Sequence, residues 1–325
     1  LIGVIYNLVD MSNIWQGLPK PFFVMAPMEG VTDIAFRQLI DEIGRPDLKF
    51  SEFVNATGMF SRGAKSVNMS LEYESSEKPL VAQLWGTNVD DYKKAAKFVV
   101  EKGFDGVDIN MGCPVRKIIN KGSCSALIKN PPLAREIIMA VREGVDGQIP
   151  VSVKTRIGFD QIVTDDWIRF LLESEIDALT VHGRTADEMS RVDCHWEEIA
   201  KAVQIRDEMG VNTVIVGNGD VESLAQGRQK AVEYGVDGIM IGRGVLHNPW
   251  IFSDTKFEDH SRAEKIDLLR RHAELFFRYW PNDERPFVVL RRFFKIYLRG
   301  FENANQLREK VMSARNWGEV EELLN

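Results

Sequence analysis

Gly106-Val107-Asp108-Ile109-Asn110-Met111-Gly112-Cys113-Pro114 is the stretch from which the architecture of this chain follows. Its first part, residues 106–110, predicts a buried parallel strand. The proline cannot donate a hydrogen bond to a neighbouring strand, so it ends the strand. Asn110 and Cys113 are therefore expected at the carboxyl end of a strand, where α/β folds place their chemistry. An amide beside a thiol on a tight turn predicts a hydrogen-bonding reader next to a proton donor.

Seven more short apolar runs alternate with longer helical patterns along the chain. Several runs are rich in Val and Ile without alternation, as expected for strands buried on both faces. Eight strand–helix units over about 250 residues predict a (β/α)8 TIM barrel, an α/β fold. The predicted strands are 22–26, 49–54, 80–84, 106–110, 151–155, 178–182, 214–217 and 238–242. The predicted helices are 90–103, 132–144, 165–174, 196–210 and 221–235.

A doubly wound open sheet is the alternative architecture. Such sheets usually carry a Gly-rich phosphate loop after the first strand, whereas Ala26-Pro27-Met28-Glu29-Gly30 stands there and no G-x-G-x-x-G motif is present. Strand patterns stop after Trp250, and only helical patterns follow from about residue 261. The predicted organisation is an N-terminal extension over 1–20, a catalytic barrel over 21–250 and a small all-helical domain over 251–325.

Composition narrows the class of protein. The chain has 325 residues, 44% of them hydrophobic, which is enough for one large core and a smaller domain. No apolar run approaches the about 20 residues needed to span a membrane. Residues 1–9 lack the features of a signal peptide, and residues 1–10 are interpreted as an extension before Met11. Cys113, Cys124 and Cys194, without C-x-x-C spacing, predict a reducing cytoplasm and no metal site.

Charge is distributed unevenly. The formal net charge is −7, which by itself disfavours nucleic-acid binding. Residues 286–318 nevertheless carry seven basic and two acidic side chains. Aromatic residues lie between the basic ones at helical spacing and are expected to face the core. The basic residues would then lie on the outer face, as either a solvated helix face or a phosphate-facing stripe. The basic residues that open this segment are Arg291, Arg292, Lys295 and Arg299, and the aromatic ones are Phe293, Phe294, Tyr297 and Phe301.

Two glycine-containing turns follow the seventh and eighth strands. Gly217-Asn218-Gly219-Asp220 and Ile241-Gly242-Arg243-Gly244 offer backbone N–H groups and a cation, and barrels often hold phosphate there. The alternative is that the glycines only form tight turns. Lys154 and Gln83 suit the polar edge of a flavin ring. The weaker alternative for Lys154 is an ion pair inside the barrel.

These motifs resemble those of the tRNA-dihydrouridine synthases over nearly the whole chain. The tail from Leu290 to Leu324 is similar to the helical domain of that family. The Asn-x-Gly-Cys-Pro element is the most specific, while other flavin barrels share the phosphate loops. The matching stretches are residues 26–33, 82–86, 108–114, 153–158, 181–185, 217–220 and 241–244.

The resemblance implies FMN reduced by NADPH, a tRNA whose D-loop uridine turns into the pocket, and reduction of that uridine to 5,6-dihydrouridine. Cys113 would be the proton donor. It also implies a monomer. The implied FMN contacts are Ala26, Pro27, Met28, Gln83, Lys154, His182, Asn218, Gly219, Asp220, Gly242 and Arg243. The implied tRNA contacts are Asn110, Arg156, Arg184, Arg291, Arg292 and Lys295.

Some alternatives stay open. A dihydroorotate dehydrogenase-like barrel for free pyrimidines would share the phosphate loops and the lysine, but it needs no basic helical tail. A tRNA-binding protein without catalysis and an aldolase with Lys154 as Schiff base are weaker alternatives. Lys117 and Lys121 are candidates for lowering the pKa of Cys113. Cys124 replaces an expected Gly or Ala, either as a packing residue or as a disulfide partner under oxidation.

Overall fold

The computed structural model describes residues 13–325. Eight parallel strands follow one another around a closed barrel, because β1 pairs with both β2 and β8. This confirms the predicted (β/α)8 barrel and excludes the open sheet. The strands are β1 Phe22–Met25, β2 Leu48–Asn55, β3 Leu80–Trp85, β4 Gly106–Met111, β5 Val151–Arg156, β6 Ala178–His182, β7 Val214–Asn218 and β8 Gly238–Ile241.

Helices surround the barrel and extend beyond it. Three of the predicted helices end at the predicted glycine, because Gly103, Gly210 and Gly235 follow them in the left-handed conformation. The α-helices are α1 Ile14–Gly17, α2 Ile34–Ile43, α3 Ala64–Asn68, α4 Val89–Lys102, α5 Arg116–Ile119, α6 Pro131–Val145, α7 Thr164–Leu172, α8 Trp196–Met209, α9 Leu224–Tyr234, α10 Gly244–His247, α11 Arg262–Tyr279, α12 Arg291–Tyr297, α13 Ala304–Ser313 and α14 Trp317–Leu324.

The amino end of the barrel interior is apolar. Trp15 is fully buried there, with its ring centroid 6.2 Å from those of Phe22 and Phe50. Residues 13–20 belong to the predicted N-terminal extension. The described part of that extension therefore covers the amino end of the barrel. The predicted extension before Met11 lies outside the described residues.

The carboxyl half of the interior is polar. Successive side chains of a strand point to opposite faces. In β4 the side chains of Val107, Ile109 and Met111 join the core beneath the helices, while those of Asp108 and Asn110 bond with β3 inside the barrel. The interior therefore changes from hydrocarbon to hydrogen-bonding groups along the barrel axis, which places the polar groups at the end where barrels carry their sites.

The C-terminal helices pack on the barrel through one continuous core. The Phe36 ring of α2 stacks on Phe293 at 5.3 Å. Arg285 adds a polar connection, with Nη1 3.2 Å from Asp33 Oδ2 and Nη2 2.5 Å from Glu52 Oε2. Both carboxylates are almost fully buried, so this cation neutralises two charges beside the first two strands. In residues 13–325, we find no helix that combines the length and apolarity needed to cross a membrane.

Candidate active site

A cavity of about 330 Å³ opens at the carboxyl ends of the strands. A larger space of about 520 Å³ lies at the opposite end of the barrel, beside Pro150 and Val151, where barrels do not place their chemistry. The first cavity is lined by these residues of the predicted FMN and tRNA sets: Ala26, Pro27, Met28, Lys154, Arg156, His182, Asn218, Gly219, Asp220, Gly242 and Arg243.

The register of the sheet brings the polar residues together. Asn110 pairs with Lys154, and His182 pairs with both Arg156 and Asn218. Residues paired across parallel strands lie about 5 Å apart. One band of hydrogen-bonding side chains therefore runs across four neighbouring strands, and all of these residues except Asn110 line the cavity.

Lys154 is the central cation of this band. Its Nζ donates to Asn218 Oδ1 at 3.0 Å, and Asn218 Nδ2 donates to the carbonyl of Met240 at 2.8 Å. Burial is the main reason why the pKa of Lys154 falls to about 8, with repulsion from Arg156 adding to it and Asp108 opposing it. The ammonium therefore lies close to losing its proton under ordinary conditions.

His182 lies among cations and stays neutral. Burial, followed by the charges of Arg156 and Lys154, holds the pKa of His182 well below its ordinary value. Its Nε2 lies 3.3 Å from Arg184 Nη1. An arginine can only donate, so Nε2 accepts and the ring proton is on Nδ1.

The turn after β7 requires glycine. Gly219 has a φ of 137°, and a Cβ on it would overlap the sulfur of Cys194. The next residue, Asp220, accepts a close hydrogen bond from Arg184 and lies 3.4 Å from Nη2 of Arg243. Arg184 is buried behind this turn and does not line the cavity, so its predicted contact with substrate stays a prediction.

A hydrogen-bond relay connects a buried carboxylate to the Asn-x-Gly-Cys-Pro turn. Asp108 accepts from Ser152 Oγ and from Gln83 Nε2, each at 2.7 Å. Gln83 Oε1 in turn accepts from Asn110 Nδ2 at 2.9 Å. Asn110 Oδ1 accepts the N–H groups of Gly112 at 3.1 Å and of Cys113 at 3.0 Å. The relay fixes which way both amides face.

The pattern of donors leaves Asn110 with one free group. Its oxygen holds two backbone N–H groups, and one Nδ2 hydrogen is used by Gln83. The second Nδ2 hydrogen remains, so Asn110 can recognise a ligand only by donating a hydrogen bond to it.

Asp108 was not among the predicted site residues, although a charged residue in a buried strand is a signal of such a role. Burial raises the pKa of Asp108 to about 7.

Cys113 is the half-buried thiol of this turn. The pKa of Cys113 is lowered to about 7, chiefly by a hydrogen bond from the Cys124 thiol. Burial opposes this shift, while the Val115 backbone, Arg156 and Lys154 strengthen it. Arg156 and Lys154 therefore lower the pKa of Cys113, the role that the sequence suggested for Lys117 and Lys121. Thiol and thiolate are both populated near neutral pH.

Arg156 clamps the turn in place. Its Nε donates to the carbonyl of Gly112 at 2.7 Å, and its Nη1 donates to those of Thr185 at 2.9 Å and Met189 at 3.2 Å. Arg156 also lines the cavity. Its guanidinium thus joins the loops after β4 and β6 and leaves a positive charge beside Cys113.

The predicted basic stripe divides into two kinds of residue. Arg291 donates to the carbonyl of Ala314 at 2.6 Å. Arg292 makes a close hydrogen bond to the carbonyl of Gly30, in the loop after β1, and Arg299 makes one to the carbonyl of His247, at the end of α10. Lys295 is exposed. Phe293, Phe294 and Tyr297 are buried, as expected, and Phe301 is partly buried against the core.

Comparisons with known proteins agree with this geometry. The model of the family described as Dihydrouridine synthase (Dus) matches residues 24–325. The chain is 43% identical to the "Probable tRNA-dihydrouridine synthase" of Staphylococcus aureus (strain COL), over 97% of this chain and 95% of the relative. It is 44% identical to the "Probable tRNA-dihydrouridine synthase 2" of Bacillus subtilis (strain 168), over 97% and 96%.

Solved structures support the fold. Morphinone reductase aligns with a TM-score of 0.51 and 12% identity over 71% of this chain and 84% of its own. Histamine dehydrogenase from Rhizobium sp. 4-9 aligns with a TM-score of 0.53 and 12% identity over 78% and 48%. Fold and cavity thus define a (β/α)8-barrel enzyme with its site at the carboxyl ends of the strands. This chain belongs to the dihydrouridine synthase family, a family of oxidoreductases.

Proposed function

We propose that this protein reduces the C5=C6 bond of D-loop uridines in tRNA to 5,6-dihydrouridine, using FMN and NADPH, as a monomer in the cytoplasm. The observation that carries the proposal is the Cys113 turn, which the Asp108 relay positions and which is held by Arg156, a residue that also lines the cavity, in a chain of this family. The names of its relatives give tRNA as their substrate.

The donor set fits FMN. Lys154 donates one hydrogen bond, to Asn218, so its ammonium keeps hydrogens for a ligand in the cavity that it lines. Arg243, with 57% of its side chain exposed, supplies a cation between two glycines for a phosphate. Lys154 and His182 would hold the ring, and Asn218, Gly219, Asp220, Gly242 and Arg243 would hold the ribityl phosphate. Reduced FMN supplies a hydride.

The protein's own residues would do the remaining work. Asn110 donates its free Nδ2 hydrogen to a carbonyl oxygen of the pyrimidine, while Gln83 keeps the amide from turning over. The thiol of Cys113 gives its proton to C5 of the base. Arg156 holds the carbonyl of Gly112 and keeps the turn in place during proton transfer.

The test is dihydrouridine formation in unmodified tRNA incubated with the purified protein and NADPH, with Cys113→Ala alongside and the visible absorbance of the flavin recorded. We expect product from the wild type and a loss of about 10²- to 10⁴-fold in the variant, the range for removal of a general acid. A yellow protein that oxidises NADPH but leaves tRNA unchanged would favour an enzyme for free pyrimidines. NADH in a parallel reaction measures the choice of nicotinamide.

A further inference from the structure

Cys113 has a second thiol at its side. Ser125 donates both its backbone N–H, at 3.4 Å, and its Oγ, at 2.9 Å, to the carbonyl of Cys113. These bonds hold the preceding residue, Cys124, against the turn, where the two cysteine side chains hydrogen-bond to each other. Cys113 is half-buried and Cys124 is fully buried. The Ser125 bonds therefore place Cys124 beside the Cys113 turn, with one thiol accessible and the other protected.

The backbone of Cys124 lies in a region where glycine is favoured. Its φ is 55°, in the left-handed region that favours glycine. The family resemblance leads one to expect Gly or Ala at this position. A residue with a side chain is kept here instead, in a conformation that favours glycine.

We propose that Cys113 and Cys124 are a reversible redox site, in which a peroxide oxidises Cys113 and Cys124 then closes a disulfide. In the first step the Cys113 thiolate attacks one peroxide oxygen, the O–O bond breaks, hydroxide leaves, and a sulfenic acid forms. In the second step the Cys124 sulfur attacks the Cys113 sulfur, the S–O bond breaks, and water leaves with the Cys124 proton. The two thiols lose two electrons, and the peroxide gains them.

The environment of each thiol suits its part. The accessible Cys113 has substantial thiolate character near neutral pH, and the thiolate is the form that peroxide attacks. Burial holds the pKa of Cys124 well above its usual range, so Cys124 is protected from direct oxidation. The disulfide would remove the proton donor until a dithiol restores it. This loss of activity rests on the proposed function, whereas the disulfide itself does not.

The experiment treats the FMN-loaded protein with near-stoichiometric hydrogen peroxide and then with dithiothreitol. Trypsin can cut after Arg116, Lys117 and Lys121, so only a disulfide keeps the peptides of Cys113 and Cys124 together in a non-reducing digest. We expect that linked pair, at least a tenfold loss of dihydrouridine formation, and recovery with dithiothreitol. In a parallel sample with a several-fold excess of peroxide, Cys124→Gly, which suits the left-handed backbone, cannot close the disulfide, so its Cys113 should be oxidised on to the sulfinic acid, which dithiothreitol does not reduce. The control Cys194→Ala should respond like the wild type.

Absence of the Cys113–Cys124 peptide pair in the oxidised wild type would overturn the proposal. So would a Cys124→Gly protein that dithiothreitol restores as fully as the wild type after the excess of peroxide. If the linked pair forms while untreated protein makes no dihydrouridine, the redox site stands and the proposed function fails. The two proposals are therefore tested separately by peptide mapping and by product formation.

Discussion

Replacing Asp108 with Asn tests whether the buried carboxylate positions the Cys113 turn. The two Asp108 oxygens face two donors, Gln83 Nε2 and Ser152 Oγ, each at 2.7 Å. Asparagine is uncharged, so both donors exchange a hydrogen bond to a carboxylate for one to a neutral amide, which costs about 2 kcal/mol in all. The NH2 group faces either Ser152, whose hydroxyl can turn to accept, or Gln83. If Gln83 turns its amide over in response, its oxygen no longer accepts from Asn110.

We therefore expect kcat/KM for tRNA reduction to fall about 30-fold, the equivalent of about 2 kcal/mol in the barrier. Because burial raises the pKa of Asp108 to about 7, the protonated wild type resembles the variant. The difference between the two proteins should consequently be larger at pH 8 than at pH 6. Steady-state kinetics at both pH values measure it.

The matched control is Ser152→Ala, which removes the other donor to Asp108 and leaves the bond to Gln83. It should lose about 1 kcal/mol of stability and keep catalysis within about threefold. Wild-type kinetics in Asp108→Asn, or an equal loss in Ser152→Ala, would refute the positioning role of the relay.

Three further outcomes are expected. Activity should decline above pH about 7 as the Cys113 thiol ionises, and a rate that stays flat to pH 9 in single-turnover reactions would contradict the acid role. His272 is fully buried, and burial lowers its pKa to about 3. The unfolded chain therefore binds a proton at His272 as the pH falls below the unfolded pKa of about 6.5, while the folded protein does not. The free energy of unfolding should consequently fall by about 2 kcal/mol between pH 7 and pH 5. In denaturant unfolding at both pH values, His272→Phe should not show this fall in the free energy of unfolding. A variant with the same pH dependence as the wild type would contradict the prediction. Lys295→Gln should reduce the salt slope of tRNA binding by about 1, whereas Lys94→Gln on the outer helix α4 should leave it unchanged; equal slopes for both variants would remove Lys295 from the interface.

The barrel could be predicted from the sequence because its signals are local. Each strand is a short apolar run between turn residues, and the predicted β6 matches the observed Ala178–His182 at both ends. Helix ends were equally readable where a glycine adopts the left-handed conformation, as at Gly103. The short α1 carries no such signal. Trp15 is buried only because the folded barrel surrounds it, and no local sequence pattern reveals that contact.

The site was predictable only in part. Strand ends identified which residues share the cavity, since parallel strands bring their carboxyl ends together. The pairing of those residues was not predictable, because Asp108 and Gln83 are 25 positions apart and meet only through the register of β3 and β4. The same limit applies to Arg292, whose guanidinium reaches a backbone carbonyl 262 positions away.

Arg292 holds the carbonyl of Gly30 in the loop after β1, and Arg299 holds that of His247 at the end of α10. A phosphate that attracted either guanidinium would compete with those carbonyls for the same N–H groups. A ligand bound at these arginines would then change the affinity of the cavity by the same factor as a cavity ligand changes the affinity of the arginines.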